Sequence, residues 1–272
     1  MKVKSIIAGI ALSAAVTAAP AKTPERVFKD GETLTYMVSY RASLVPNTDV
    51  AEVVLRTSRT SLDGRPVWNI YGNGRVMPFF RWFFDLNDTY NTWLDTKTLR
   101  PVKFTGDIRE GKYRFVSAYR YDWDSMKVHT TYRNLKREHD SHKTMPLTER
   151  SFDALALFYN LRGEDIDSFK PGEPRYLELV LEDTIRRVQY KYLGRETKNI
   201  RGLGKFRTLK FSCQLATSSG ESFEDGSEFF LWITDDRNKI PLYIESPIRV
   251  GSIRGKLVGY SDLRYDLSSK IK

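Results

Sequence analysis

The most concentrated ligand-binding chemistry in this sequence is a run of basic residues from Arg186 to Lys210. Nine Lys or Arg side chains occur there against a single acid, Glu196, so the run carries a local charge of +8. Guanidinium groups suit bidentate contacts with phosphate or carboxylate, and ammonium groups suit point-charge contacts. This run therefore predicts binding of an anionic lipid, a glycolipid or a polysaccharide. The side chains expected to make the contacts are Arg187, Lys191, Arg195, Lys198 and Arg201.

The first part of the basic run has the alternation of a β-strand. Arg187 and Lys191 fall on one face, whereas Val188, Tyr190 and Tyr192 fall on the other. A solvated, charged strand edge is the alternative interpretation, because charged edges resist edge-to-edge association. The connection after this strand is expected to hold the other three cations, Arg195, Lys198 and Arg201.

A second candidate surface is the segment 77–84, in which five of the eight residues are Phe or Trp. No period-two pattern can bury both faces of such a segment unless it is central in a sheet. As a loop or helical turn, it would present an apolar patch to a lipid, a membrane surface or a partner protein. As a buried hairpin tip, it would plug one end of the sheet. The residues assigned to the patch are Phe80, Trp82 and Phe83.

Motifs for catalysis or metal binding are weak. The doublets 224–225 and 235–236 are both acidic, but adjacent strand residues point to opposite faces, so neither doublet can form the carboxyl pair of a glycoside hydrolase. Turn chemistry is their expected use. His139 and His142 lie in a charged stretch without zinc-ligand spacing, which predicts an exposed loop. We therefore assign no catalytic or metal-ligating residue and expect no cofactor.

The start of the chain matches a secretory signal peptide at residues 1–21. A basic start precedes an apolar stretch at 6–18 and an Ala-Pro-Ala exit, so cleavage is expected before Lys22. The apolar stretch is shorter than the roughly 20 residues of a membrane-spanning helix. Residues 22–272 are expected to form one soluble domain in the periplasm, separated from nucleic acid. No cysteine adjoins the cleavage point, so a lipid anchor is not expected. Cys213 is the only cysteine, and its alternating context predicts an inert core thiol.

Hydrophobic alternation with period two recurs along most of the chain and predicts about a dozen strands. Short turn sequences such as Asp63-Gly64 separate them, which favours an antiparallel meander. The segment 151–162 instead has helical spacing, with Thr148 or Ser151 as N-cap and Gly163 as stop. The predicted fold is mainly β, a large curved antiparallel sheet or incomplete barrel with one amphipathic helix as plug or lid.

Seven short segments of this sequence are informative when they are taken in chain order: 31–40, 151–162, 194–196, 204–206, 231–236, 240–241 and 251–253. In that order they resemble the DUF3108 family of bacterial exported proteins of unknown function. The resemblance covers nearly all of residues 22–272, and it implies a Gram-negative envelope and a curved antiparallel sheet. Because the family has no assigned function, it carries over no catalytic or binding residue.

Three classes of function are compatible with these features. The favoured class is a non-enzymatic binding or carrier protein, in which the sheet and helix enclose an apolar ligand and the basic run meets its anionic part. Fifteen Phe and fifteen Tyr beside the local charge motivate this hypothesis. The second class is an assembly factor or scaffold that docks on an envelope protein through segment 77–84. A glycan hydrolase is the third, since carboxylates and exposed aromatics are compatible with it.

Overall fold

A computed structural model describes residues 25–42, 45–82, 85–216, 228–247 and 252–271. The predicted signal peptide, Phe83 and the doublet 224–225 lie outside these residues.

One sheet holds all the described strands. They are β1 (Thr33–Ala42), β2 (Val45–Leu62), β3 (Arg65–Val76), β4 (Asn87–Asp95), β5 (Pro101–Glu110), β6 (Tyr113–Asp122), β7 (Lys127–Asn134), β8 (Ser141–Pro146), β9 (Ser151–Phe152), β10 (Pro174–Val180), β11 (Ile185–Ile200), β12 (Gly204–Leu215), β13 (Phe229–Thr234), β14 (Pro241–Pro247), β15 (Ser252–Ser261) and β16 (Lys270–Ile271).

Two antiparallel meanders make up the sheet. Strands β1 to β8 form one meander and β10 to β15 form the other, and β1 pairs with β15 to join them. The short strand β9 pairs in parallel with β10, and β16 pairs with β12. The strand number exceeds the predicted dozen, partly because β9 and β16 are too short to show alternation. His142 lies in the edge strand β8 rather than in the predicted loop, whereas His139 is exposed in the β7–β8 connection.

The sheet curls until one meander touches the other. Thr130 on β7 donates a hydrogen bond from Oγ1 to the carbonyl oxygen of Glu182, in the β10–β11 turn, at 2.5 Å. Beside this contact, Val180 and Ile185 pack with a cluster on β5 to β8 that includes Val128. The predicted curved sheet with one helix is confirmed.

The helix α1 (Ala154–Arg162) packs against β3, β4, β9 and β10 on the inner side of the curl. Its N-cap is Asp153, whose side chain accepts a hydrogen bond from the Ala156 backbone nitrogen, and Gly163 ends the helix as predicted. The predicted N-caps were wrong, because Thr148 and Ser151 hydrogen-bond to Glu178 on β10 instead. No helix in the described part of the chain is long and apolar enough to cross a bilayer.

Candidate binding site on the inner face of the sheet

Apolar side chains on one stretch of the inner face remain partly open to solvent. Cross-strand pairing aligns Leu231 with Ile244, and Gly255 of β15 separates Ile244 from Val38. On the next strands, Val53 pairs with Gly74. All four apolar side chains are only half-buried. We call this surface the apolar basin. It comprises Val38, Val53, Leu231 and Ile244 together with Leu155 and Phe158 of α1.

The helix supplies one side of the apolar basin. Leu155 and Phe158 are half-buried, and the Phe158 ring packs edge-on against Tyr36 with centroids 6.3 Å apart. Gly74 lies on β3 beside this surface, and a Cβ atom placed there would make ordinary van der Waals contact with a Val53 methyl carbon at 3.8 Å. The basin is therefore a surface of half-buried apolar side chains.

Arg186 is a cation on the inner face of β11. It pairs with Leu179 and alternates with the buried residues Val188 and Tyr190, so it shares their face. Within the described residues, its buried Nε atom has no hydrogen-bond partner. Sequence alternation could have identified Arg186, because residues two positions apart on a strand share a face and Val188 is apolar. The predicted binding residues nevertheless include Arg187 and not Arg186.

The structure places Arg187 and Lys191 on the outer face, opposite Val188 and Tyr190. The Arg187 guanidinium lies 4.6 Å from the ring centroid of Tyr176. These two cations therefore point away from the apolar basin, so they cannot contact the polar part of a ligand held inside it.

The prediction that Arg195 and Lys198 lie in a connection was wrong. Strand β11 continues to Ile200, and only Arg201 falls in the turn beyond it. A bulge between Tyr192 and Gly194 allows the strand to continue. Gly194 has φ +121°, a conformation that residues with a Cβ rarely adopt.

Arg195 and Lys198 both interact with other groups of the protein. Arg195 forms ion pairs with Asp167 at 2.6 Å and with Asp235 at 3.1 Å. Lys198 lies with its Nζ atom 3.4 Å from the Trp232 ring centroid, and burial lowers its pKa. Arg195 and Lys198 therefore both have partners within the protein.

The aromatic segment lies in the β3–β4 connection, where Pro78–Phe80 forms a 3-10 turn. Phe79 is 73% exposed and Trp82 is 74% exposed, whereas Phe80 is half-buried against the Phe79 ring. Antiparallel pairing puts this connection at the end of the sheet where β1 and β14 also end. The described part of the segment is thus an exposed apolar patch at that end, not a buried hairpin tip.

Asp153 is the buried carboxylate whose pKa most resembles that of a catalytic acid. Burial raises the pKa of Asp153 from 3.8 to about 6. Its oxygens accept hydrogen bonds from Ala156 N at 2.9 Å and from Thr92 Oγ1 at 2.8 Å. Since the side chain is fully buried and caps α1, its geometry serves the fold rather than a substrate.

The acidic doublet 235–236 lies in the β13–β14 turn. Asp236 accepts hydrogen bonds there from Ser269 Oγ at 2.6 Å and from Asn238 N at 3.0 Å, which is turn chemistry. Among the described residues, no group of three His, Cys, Asp or Glu side chains is placed to hold a metal ion.

Comparison with known proteins relates the chain to proteins of unknown function. The model of a family described as "Protein of unknown function (DUF3108)" matches residues 23–258. No curated protein matches. A solved beta-barrel-like protein of the domain of unknown function DUF1849, from Brucella abortus, aligns with a TM-score of 0.57 and 12% identity. The alignment covers 89% of this chain and 100% of that one, and at this identity it demonstrates a shared fold alone.

Proposed function

This chain belongs to the DUF3108 family, and we propose that it is a non-enzymatic binding or carrier protein of the periplasm for an anionic amphipathic ligand, a lipid or glycolipid of the envelope. The apolar basin is the observation that carries this proposal. Fully burying one aliphatic or aromatic side chain stabilises a protein by about 1.5–3 kcal/mol. Half-buried apolar side chains inside a curled sheet leave part of this free energy available for an acyl chain.

Arg186 supports the anionic part of the proposal. A half-buried guanidinium without a partner in the described chain has lost part of its hydration and gained no hydrogen bond at Nε. Phosphate or carboxylate oxygens form short, charge-assisted hydrogen bonds with such a group. A ligand with an apolar tail in the basin and an anionic group at Arg186 would satisfy both features.

The periplasmic location is part of the same proposal. It rests on the leader-like residues 1–21, with their basic start and Ala-Pro-Ala exit. Mass spectrometry of the protein from fractionated cells tests it. A mature chain that begins at Lys22 in the periplasmic fraction is expected. An uncleaved chain in the cytoplasm would contradict the location but leave the basin open to testing.

A filled basin tests the binding site directly. Gly74→Leu places an apolar side chain on the basin wall at a position where a Cβ makes only ordinary contacts. Gly259→Leu is the matched control, because Gly259 pairs with Thr35 on the outer face of the same sheet. With lysophosphatidylglycerol as the probe, we expect Gly74→Leu to weaken binding at least about tenfold, or about 1.4 kcal/mol. Equal affinities of the two variants would overturn the basin as the site.

The role of Arg186 has a separate test. Arg186→Gln should reduce the preference for lysophosphatidylglycerol over zwitterionic lysophosphatidylcholine, since it removes the charge but keeps hydrogen-bonding capacity. Arg187→Gln on the outer face is the control, and it should leave that preference unchanged. If both substitutions reduce the preference equally, general surface charge rather than Arg186 selects the anionic probe.

The exposed aromatic patch favours a second candidate, an envelope assembly factor or scaffold. Large exposed apolar groups mark interaction surfaces more often than isolated exposed residues do. Crosslinking in intact envelopes through a photoreactive residue at position 79 distinguishes the two functions. A single crosslinked protein partner together with a ligand-free purified protein would favour the scaffold over the carrier.

A further inference from the structure

A cavity lies beside the C-terminal half of α1, between the β4–β5 turn and the start of β10. Its volume is about 860 Å³, and it shares no lining residue with the apolar basin. Pockets for small molecules commonly measure about 300–1,000 Å³. This cavity therefore has the size of a ligand site, but its lining is mostly polar. Its charged residues are Arg100, Arg150, Arg175, Lys239, Glu25, Glu149, Glu164 and Asp165.

Most of these charges already pair within the protein. Arg100 contacts Glu149, and Arg150 donates a hydrogen bond to Glu164 at 2.9 Å. Glu25 pairs with Arg237, outside the cavity lining. Across the described ranges, the lining charges without an ion pair are Arg175, Lys239 and Asp165. The cavity thus offers both signs of charge to a ligand.

Asn160 and Arg175 are two polar side chains in the wall of the cavity. Asn160 is 4% exposed and lines the cavity. The Arg175 guanidinium lies 3.6 Å from the ring centroid of Phe169, and its buried Nε has no partner in the described chain. An unsatisfied polar group away from water costs about 1–3 kcal/mol. A ligand that hydrogen-bonds to the Arg175 guanidinium would recover part of this free energy.

We propose that this cavity binds a small zwitterionic molecule of the amino-acid or short-peptide class. Arg175 would bind its carboxylate, Asp165 its ammonium group and Asn160 its amide. The neighbouring Arg150 is fixed by Glu164 and by Tyr190, whose hydroxyl accepts from Arg150 at 2.9 Å. This part of the wall is therefore rigid before a ligand arrives, which lowers the entropy lost on binding.

Isothermal titration with L-alanyl-L-alanine tests the site. We expect saturable binding with a Kd of about 1 mM or tighter, and at least tenfold weaker binding to Arg175→Gln. The control Arg75→Gln removes an exposed cation of β3 that does not line the cavity, and it should change the Kd less than about twofold. Thermal melting of each variant establishes that it is folded. If Arg175→Gln does not fold, Arg175→Lys takes its place, with weaker binding still expected because Lys lacks the bidentate geometry.

The ammonium contact has its own readout. N-acetyl-alanyl-alanine should bind the unmodified protein more weakly than the free dipeptide, and Asp165→Asn should remove this difference. Absence of saturable binding up to about 10 mM, or equal affinity of the Arg175 and Arg75 variants, would overturn the proposal. Because Gly74→Leu does not touch this cavity, its dipeptide affinity should be unchanged. The two sites therefore fail or succeed independently.

Discussion

Arg162, the last residue of α1, donates hydrogen bonds from its two terminal nitrogens to both carboxylate oxygens of Glu32, at 2.6 and 3.0 Å. Glu32 precedes β1, so the pair joins residues 130 positions apart. Both side chains are at most 1% exposed. Arg162 also donates from Nε to the carbonyl oxygen of Asn238 at 3.1 Å. The end of the helix is thereby fixed to both meanders of the sheet.

Glu32→Gln should destabilise the fold strongly. The substitution leaves the Arg162 charge buried without its counter-charge, for which a loss of about 3–5 kcal/mol in the free energy of unfolding is typical. Urea unfolding at pH 7 measures it. Glu52→Gln is the matched control, because the Glu52–Arg75 pair is exposed and should contribute about 0–1 kcal/mol. Similar losses in the two variants would show that burial of the pair is energetically unimportant.

Asp153→Asn should remove one pH dependence of stability. Burial raises the pKa of Asp153 from 3.8 to about 6. Between these two pH values the folded chain retains a proton that the unfolded chain releases. The free energy of unfolding should therefore fall as pH rises from about 4 to about 6, by about 1.4 kcal/mol for each unit of pKa difference, and then level off. Asparagine is also a good N-cap, so the variant should keep the helix.

Urea unfolding between pH 4 and 7 checks the Asp153 prediction. The control is Asp122→Asn, since hydrogen bonds from Ser125 lower the pKa of Asp122. A group of this kind stabilises the fold above its unfolded pKa and loses that effect as pH falls, which is the opposite sign. If Asp153→Asn retains the slope of the unmodified protein, another buried group is responsible for it.

Replacing Phe79 and Trp82 together by Ser should reduce binding to apolar surfaces without unfolding the protein. Both side chains are largely exposed, so we expect the free energy of unfolding to change by less than about 0.5 kcal/mol. Cosedimentation with phosphatidylglycerol vesicles should fall several-fold. Tyr260→Ser is the comparison, because Tyr260 is 36% exposed near the end of β15. Undiminished cosedimentation would exclude the aromatic patch as a lipid-contacting surface.

Cys213 should react slowly with thiol reagents in the folded protein. It is buried on β12, and burial raises the pKa of its thiol to about 12, so thiolate is scarce at neutral pH. Alkylation followed by mass spectrometry should show fast labelling only after unfolding. A single-cysteine control, Cys213→Ala with Leu135→Cys, places the thiol in an exposed turn and should label readily. Equal labelling rates would mean that the sheet opens at β12 under native conditions.

The alternation of apolar residues was sufficient to predict the sheet, the helix and the burial of Cys213. It also placed Arg187 and Lys191 on one face, as observed. The predictions for Arg195 and Lys198 failed because the bulge at Gly194 extends the strand, and a bulge depends on a tertiary partner as well as on a glycine.

The contacts that organise the helix could not be read from the sequence. Glu32 and Arg162 meet only because the sheet curls, and nothing in their local sequence marks them as partners. Likewise, Ser151 is a residue type that often caps helices. Its hydroxyl donates a hydrogen bond to the Glu178 carboxylate, however, and Asp153 caps the helix instead. Asn160 and Arg175 line one cavity through a similar convergence of distant segments.

The pairing of β1 with β15 determines the order in which the chain can complete its sheet. Across the sheet, the strands β9 to β15 are followed by β1 to β8. Neighbouring strands are therefore also neighbours in the chain, except where β15 meets β1. During synthesis, β1 has a neighbour on one side only until residues 252–261 arrive. Closing so long a loop is slow, and an unpaired strand edge can template aggregation meanwhile. Loss of β15 alone would therefore expose two edges, one on β1 and one on β14.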